Sequence, residues 1–266
     1  MIEIIHASLA EALSDLRAVP IASVIADPPY AEIVHRKATS NGTGGVGPVA
    51  RDMGFTSLTP RFRAEICELC SFATRWSILH SDIETAHRWR ETMAETPEGP
   101  RWIREIPWVR WSQPQLSGDR PPSGCETILS WHAASKASWN GPGSLVAFDA
   151  KSLRGKEKYS CEKPLDLVMS LVSWFSSPGD LIVDPCCGSG TTGVAARILG
   201  RDCILVDPSE DAVLRAQQRV DEDLTDRDRE RVGRWIEAQD AWIATHQDSE
   251  RVRRAREDTE RVRAGT

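Results

Sequence analysis

The chain has no run of about 18 apolar residues, which excludes a membrane-crossing helix. Its N-terminus lacks the charged-then-apolar pattern of a secretory leader, so the cytoplasm is the expected compartment. It also lacks a basic excess. The net charge is −6 over 266 residues. Acidic and basic residues balance over 1–160, while 161–220 and 221–266 are each acidic. That excludes a broad cationic surface and confines any phosphate contact to a local patch. The seven cysteines are an odd number, and a reducing compartment keeps them as thiols. Cys67-Glu-Leu-Cys70 looks like half a zinc site. No second Cys/His pair lies at ribbon spacing, so no metal is expected there. Hydrophobic residues make up 40% of the chain, enough for a buried core.

Two short segments carry the chemistry. Leu181-Ile182-Val183 is an apolar run that stops at Asp184-Pro185-Cys186-Cys187-Gly188-Ser189-Gly190-Thr191-Thr192-Gly193. Gly188, Gly190 and Gly193 have the spacing of a glycine turn at a helix N-terminus, with Thr191 to Leu199 as the helix. The glycines alone are weak evidence, because a capped strand-to-helix turn without a ligand has the same spacing. Asp207 ends the next apolar run, Cys203 to Val206. An acid about 20 residues past the glycines suits the two hydroxyls of a ribose. Asp184 chooses between cofactors. A carboxylate at the mouth of the turn repels a pyrophosphate, whereas it welcomes the ammonium and sulfonium of S-adenosylmethionine.

The second segment is Asp27-Pro28-Pro29-Tyr30, at the end of the apolar run Ile21 to Ala26. The two prolines fix φ and lack N–H groups, so the loop is stiff and its carbonyls remain acceptors. The Asp27 carboxylate and the Pro28 carbonyl can together hold an –NH2 group, with the Tyr30 ring placed to stack on a base. An exocyclic amine is a poor nucleophile, and orienting it in line with a methyl–sulfur bond supplies much of the catalysis. By itself the segment also fits an ordinary turn. Both loops follow strands, and an open α/β sheet would bring them together if those strands are neighbours.

With these motifs the chain resembles the amino-methylating DNA methyltransferases in which the target loop precedes the cofactor loop. The matching stretches are Ala22–Tyr30, Glu162–Leu165, Gly179–Gly200 and Ile204–Ala216. Ile106–Trp111 and Cys125–Ser130 resemble the family's central strands more loosely. The resemblance implies a Rossmann-like α/β fold, with a largely parallel sheet and helices on both faces. It implies that Asp27, Pro28, Pro29 and Tyr30 hold a flipped base of duplex DNA. It assigns the cofactor site to Lys163, Asp184, Pro185, Cys186, Gly188, Gly190, Thr191, Thr192 and Asp207. Aspartate at position 27 points to adenine N6 within this family; serine there is commoner in cytosine N4 enzymes, and asparagine in protein-amide enzymes. The chain departs from the pattern at Ala7-Ser8, where Gly-Asp is frequent, and at Cys186-Cys187, where one aromatic is frequent. Rival readings are methylation of cytosine N4 or RNA, a catalytically silent nucleic-acid-binding subunit and, last, an NAD enzyme.

Residues 1–220 are expected to form the catalytic domain, with helices at Leu9–Ala18, Arg61–Phe72, Ile83–Ala94, Pro164–Phe175 and Asp211–Val220. Target recognition is expected within 112–160. Lys151, Arg154, Lys156 and Lys158 form the best local basic patch, either for phosphates or as a solvated loop. The glycine-rich stretch 35–60 either closes over the site or links elements. The tryptophans of 102–139 either pack a core or stack on bases. Residues 221–266 have no proline, dense mixed charge and two thin apolar stripes. They are expected to form a helical extension that docks on the domain, pairs with another copy or projects into solvent.

Overall fold

A computed structural model describes residues 1–30, 39–40, 49–50, 57–109, 115–117, 120–133, 139–142, 148–149, 162–246 and 249–265. About half of the expected recognition segment 112–160, and the whole patch of Lys151, Arg154, Lys156 and Lys158, lie outside them.

The centre is an eight-stranded sheet. In chain order its strands are β1 (Ile2–His6), β2 (Ser23–Ala26), β3 (Trp76–Ser81), β4 (Arg101–Val109), β5 (Cys125–His132), β6 (Phe148–Asp149), β7 (Leu181–Asp184) and β8 (Asp202–Asp207). Their order across the sheet is β1-β8-β7-β2-β3-β5-β4-β6. Pairings from β1 through to β3 are parallel, as is β4 with β6, while β5 runs antiparallel to both neighbours. The sheet is therefore largely parallel, as the sequence implied. Two short antiparallel pairs lie apart from it, Thr39–Ser40 with Val49–Ala50 and Gln115–Ser117 with Arg120–Ser123.

Helices cover both faces, as they must when a parallel sheet has two apolar sides. One face carries α1 (Leu9–Leu16), α2 (Pro60–Phe72) and α3 (Ala86–Glu95). The other carries α4 (Leu165–Phe175), α5 (Thr191–Leu199), α6 (Glu210–Asp221), α7 (Asp226–Thr245) and α8 (Glu250–Gly265). β2 is buried at all its positions, which explains why its sequence does not alternate.

The C-terminal helices dock on the domain. Val232, Trp235 and Val262 belong to the same apolar core as α4 and α5. Ten of the eleven residues of α4 are buried, because the sheet lies on one side and these helices on the other. Arg201 forms a bidentate ion pair with Asp258 of α8 at 2.5 and 3.0 Å, and Ser173 of α4 donates to the same carboxylate at 2.7 Å. Both charged side chains are almost wholly buried.

Three boundaries differ from expectation. β1 was not anticipated: it is a short edge strand with Glu3 and His6 in it, too polar for an apolar-run signal. α3 starts at Ala86 rather than Ile83, because the Asp82 carboxylate accepts the Thr85 N–H at 2.8 Å and holds 82–85 as a turn. α1 stops at Leu16, ahead of Pro20.

Candidate active site

Parallel pairing puts the carboxyl ends of β1, β8, β7 and β2 at one edge of the sheet. β7 pairs directly with β2, Ile182 against Ser23 and Val183 against Val24. Asp184 and Asp27 therefore leave adjacent strands side by side, and Asp207 leaves β8 on the far side of Asp184. Sequence reasoning made this adjacency a condition for a shared site, and the fold meets it.

The loop after β7 is closed by its own hydrogen bonds. Asp184 accepts the Cys186 N–H at 3.0 Å and the Thr192 hydroxyl at 2.6 Å. Asp207 accepts the Gly188 N–H at 2.9 Å and the Ser209 N–H at 3.0 Å. The Cys187 N–H goes to the Val206 carbonyl, and the Gly190 N–H to that of Cys187. The N–H groups of Cys186, Cys187, Gly188 and Gly190 are thus occupied within the protein, and the acids at both ends of the loop suit a cation better than a pyrophosphate. This donor set fits a cationic cofactor bearing a ribose. Asp184 is buried, which pushes its carboxyl up to about 7, and the nearby charges of Asp27 and Asp207 add to the rise. The Cys186 thiol lies among the same three acids; burial first, then their charge, pushes it up, so it stays protonated.

The glycines serve packing as well as turning. Gly190 has φ +74°, and a Cβ there would lie 2.8 Å from the Ala216 Cα of α6. A Cβ on Gly193 would lie 2.7 Å from Leu205 Cδ1 on β8. Pro185, Thr191 and Thr192 are buried behind the loop.

The second loop meets Lys163, which lies just before α4. Lys163 Nζ is 2.8 Å from Asp27 Oδ1, 3.1 Å from the Tyr30 hydroxyl and 3.3 Å from Glu126 Oε2 of β5. Tyr30 in turn donates its hydroxyl to Glu126. Apart from the ion pair, Asp27 Oδ1 is buried with no hydrogen-bond partner. Burial raises the Asp27 carboxyl, Lys163 lowers it and Glu126 raises it again. Burial works against the Lys163 ammonium, but Asp27, Glu126 and Tyr30 outweigh it and hold its pKa well up. Lys163 Nζ also lies over the Tyr30 and Trp108 rings at 5.1 and 5.6 Å. Pro28 is buried and Pro29 half-buried.

Lys163, which the resemblance sets in the cofactor pocket, contacts the adjacent Asp27 loop in this structure. Sequence reasoning missed Glu126, Arg219 and His80. Glu126 had a readable signal, an acid at the head of a strand that is otherwise mostly apolar. Arg219 of α6 donates to the Ser189 carbonyl, the Ser189 hydroxyl and the Thr191 hydroxyl at 3.0–3.2 Å, and lies 3.5 Å from Glu162. His80 at the end of β3 is buried beside Trp108; burial first, then Lys163, pushes its imidazole down to about 3. At the Ala7-Ser8 departure, Ser8 forms a capping box with Glu11 and starts α1. Trp108 and Trp131 are buried core residues, and Trp102 packs edge-on against Trp131 at 5.1 Å. Trp139 packs between Trp76, Trp174 and Phe175, while Trp111 lies outside the described residues. Cys67 and Cys70 are buried on α2, where burial pushes the Cys67 thiol up to about 12.

A parallel sheet with an acidic glycine loop beside a proline-stiffened acceptor loop defines the class of S-adenosylmethionine-dependent amino-methyltransferases. A family model described as DNA methylase, for N6 and N4 methyltransferases, matches residues 84–218. The chain belongs to this N6/N4 DNA methylase family. It is 25% identical over 246 residues to the type II methyltransferase M2.DpnII of Streptococcus pneumoniae, covering 82% of this chain and 89% of that protein. It is 35% identical over 72 residues to the type II methyltransferase M.HinfI of Haemophilus influenzae, but spans only 20% of that relative's length. The fold matches the crystal structure of an M1.HpyAVI–SAM complex with a TM-score of 0.64, at 22% identity, over 84% of this chain and all of that one. It matches the cytosine-N4-specific PvuII DNA methyltransferase with a TM-score of 0.60, at 13% identity, over 88% and 91%. Among the described residues no helix is long and apolar enough to cross a membrane.

Proposed function

We propose that the chain methylates adenine N6 at a specific site in double-stranded DNA, in the manner of a modification enzyme. The observation that carries this reading is the buried Asp27 Oδ1, held among the described residues only by the Lys163 ammonium at 2.8 Å and one strand away from the cofactor loop. A flipped adenine would place its amine between the Asp27 carboxylate and the Pro28 carbonyl, with Tyr30 against the ring. Those two acceptors orient the amine and favour the positive charge that builds on its nitrogen as the new bond forms. Asp207 suits the ribose hydroxyls of the cofactor and Asp184 its ammonium; Cys186, Gly188, Gly190, Thr191 and Thr192 shape the pocket. S-adenosylmethionine, when bound, supplies the electrophilic methyl group.

Within this reading, residues 1–220 form the catalytic domain and 112–160 hold the recognition elements. Lys151, Arg154, Lys156 and Lys158 are candidates for phosphate contacts. A DNA substrate suits the cytoplasm. Val232 and Trp235 of α7 and the stripe of α8 are buried within the protein, while Ile236 and Ile243 stay half-exposed and are candidates for contact with a second copy.

The test is transfer of labelled methyl to duplex DNA, followed by nucleoside analysis. N6-methyladenine is expected. N4-methylcytosine would move the assignment to the other amine, and labelling of RNA in preference to DNA would end the DNA reading. Asp27→Ala is expected to abolish transfer and leave cofactor binding intact, as measured by calorimetry. Loss of cofactor binding would overturn the division of roles between the two loops.

A further inference from the structure

The acceptor assigned to the amine, Asp27 Oδ1, is covered by the Lys163 ammonium at 2.8 Å. An incoming amine must compete with that cation. Lys163 is itself largely buried, and displacing it would strand a charge away from water unless a second partner took it. Glu126 is such a partner, 3.3 Å from Nζ and equally buried. It also accepts the Tyr30 hydroxyl, so it touches both side chains that must move or hold when a base enters.

We propose that Glu126 is a positioning residue of the methyl-transfer site: it anchors Tyr30 by the hydroxyl and takes over the Lys163 ammonium as the target amine reaches Asp27. The inference rests on the reading of Asp27 given above and adds a residue outside both loop motifs. Glu126 needs no contact with the base. It acts through Lys163, whose charge is shared between two carboxylates and can shift toward one.

Glu126→Gln tests this. The side-chain carbonyl of Gln still accepts the Tyr30 hydroxyl, but Lys163 keeps one carboxylate partner and binds Asp27 more firmly. With wild type shown to methylate DNA, the variant is expected to lose about 10- to 100-fold in kcat with little change in KM for DNA. Its acid limb in kcat/KM is expected to move to lower pH. The titratable groups around Asp27 are Lys163, Glu126, Asp184, the Tyr30 phenol and the Cys186 thiol, and the substitution removes one negative charge while leaving the cation. A purely structural role would lower the melting temperature without moving that limb. Glu126→Asp, which keeps the charge, is expected to recover part of the rate.

A double substitution provides a second arm if Glu126→Gln melts too early to assay. Once Lys163→Met has removed the cation, adding Glu126→Gln should cost little more. Wild-type kcat and an unmoved acid limb in Glu126→Gln would overturn the inference, as would fully additive losses in the double variant. An inactive wild type would instead overturn the reading of Asp27 beneath it.

Discussion

At the scale of single residues, the site is governed by burial of acids near one another. Burial raises the Asp184 carboxyl from 3.8 to about 7, and the charges of Asp27 and Asp207 beside it add to the rise. Between those values the folded chain binds a proton that the unfolded chain has lost. Ligand-free protein should therefore lose stability as pH rises from about 4 to 7. A bound cation reverses the preference and favours the carboxylate. Cofactor affinity should thus increase with pH up to about 7 and then level, with proton release on binding near pH 6. Calorimetry in two buffers of different ionisation heat would measure that release. Asp184→Asn should abolish the pH slope, and an unchanged slope would remove Asp184 from this role.

At the scale of elements, the cofactor loop is held by its neighbours as much as by its own turn. Gly190 was legible as a turn glycine, and its φ of +74° agrees. That it also lets α6 approach through Ala216 was not legible, because the contact partner lies elsewhere in the chain. Gly190→Ala is expected to destabilise the fold by about 1–3 kcal/mol, through crowding against α6 and the left-handed backbone, as read by thermal melting. Arg219 ties the same loop to Glu162 and the start of α7. Its hydrogen bonds involve a charged donor, so Arg219→Ala should weaken cofactor binding about tenfold while DNA affinity holds. Equal weakening of both would show a general loss of fold instead.

At the scale of the whole molecule, the C-terminal helices complete the core. α4 is apolar on nearly all sides, a pattern that suits a buried helix only if something covers its outer face. α7 and α8 are that cover, and the Arg201–Asp258 pair locks them in place. Asp258→Ala leaves Arg201 buried without its counter-charge. It is expected to cost about 3–5 kcal/mol and to lower Tm by on the order of 10 °C. A change under about 2 °C would mean that the arginine finds water or another acceptor. Removal of residues after 221 should expose α4 and cause aggregation, measurable by light scattering.

The sequence by itself determined the local chemistry. Leu181 to Gly193 and Ala22 to Tyr30 each announced a strand, a loop and its acids, because those signals lie within a few residues and depend on φ, apolar runs and charge. Through its resemblance to a known family it also implied an α/β sheet with helices on both faces. Only the tertiary structure decided that β7 lies against β2, and that adjacency turns two loops into one site. It alone brought Glu126 of β5 and Lys163 to Asp27, and Asp258 to Arg201. Such pairings join residues far apart in the chain, and no local rule encodes which distant carboxylate a buried cation will meet.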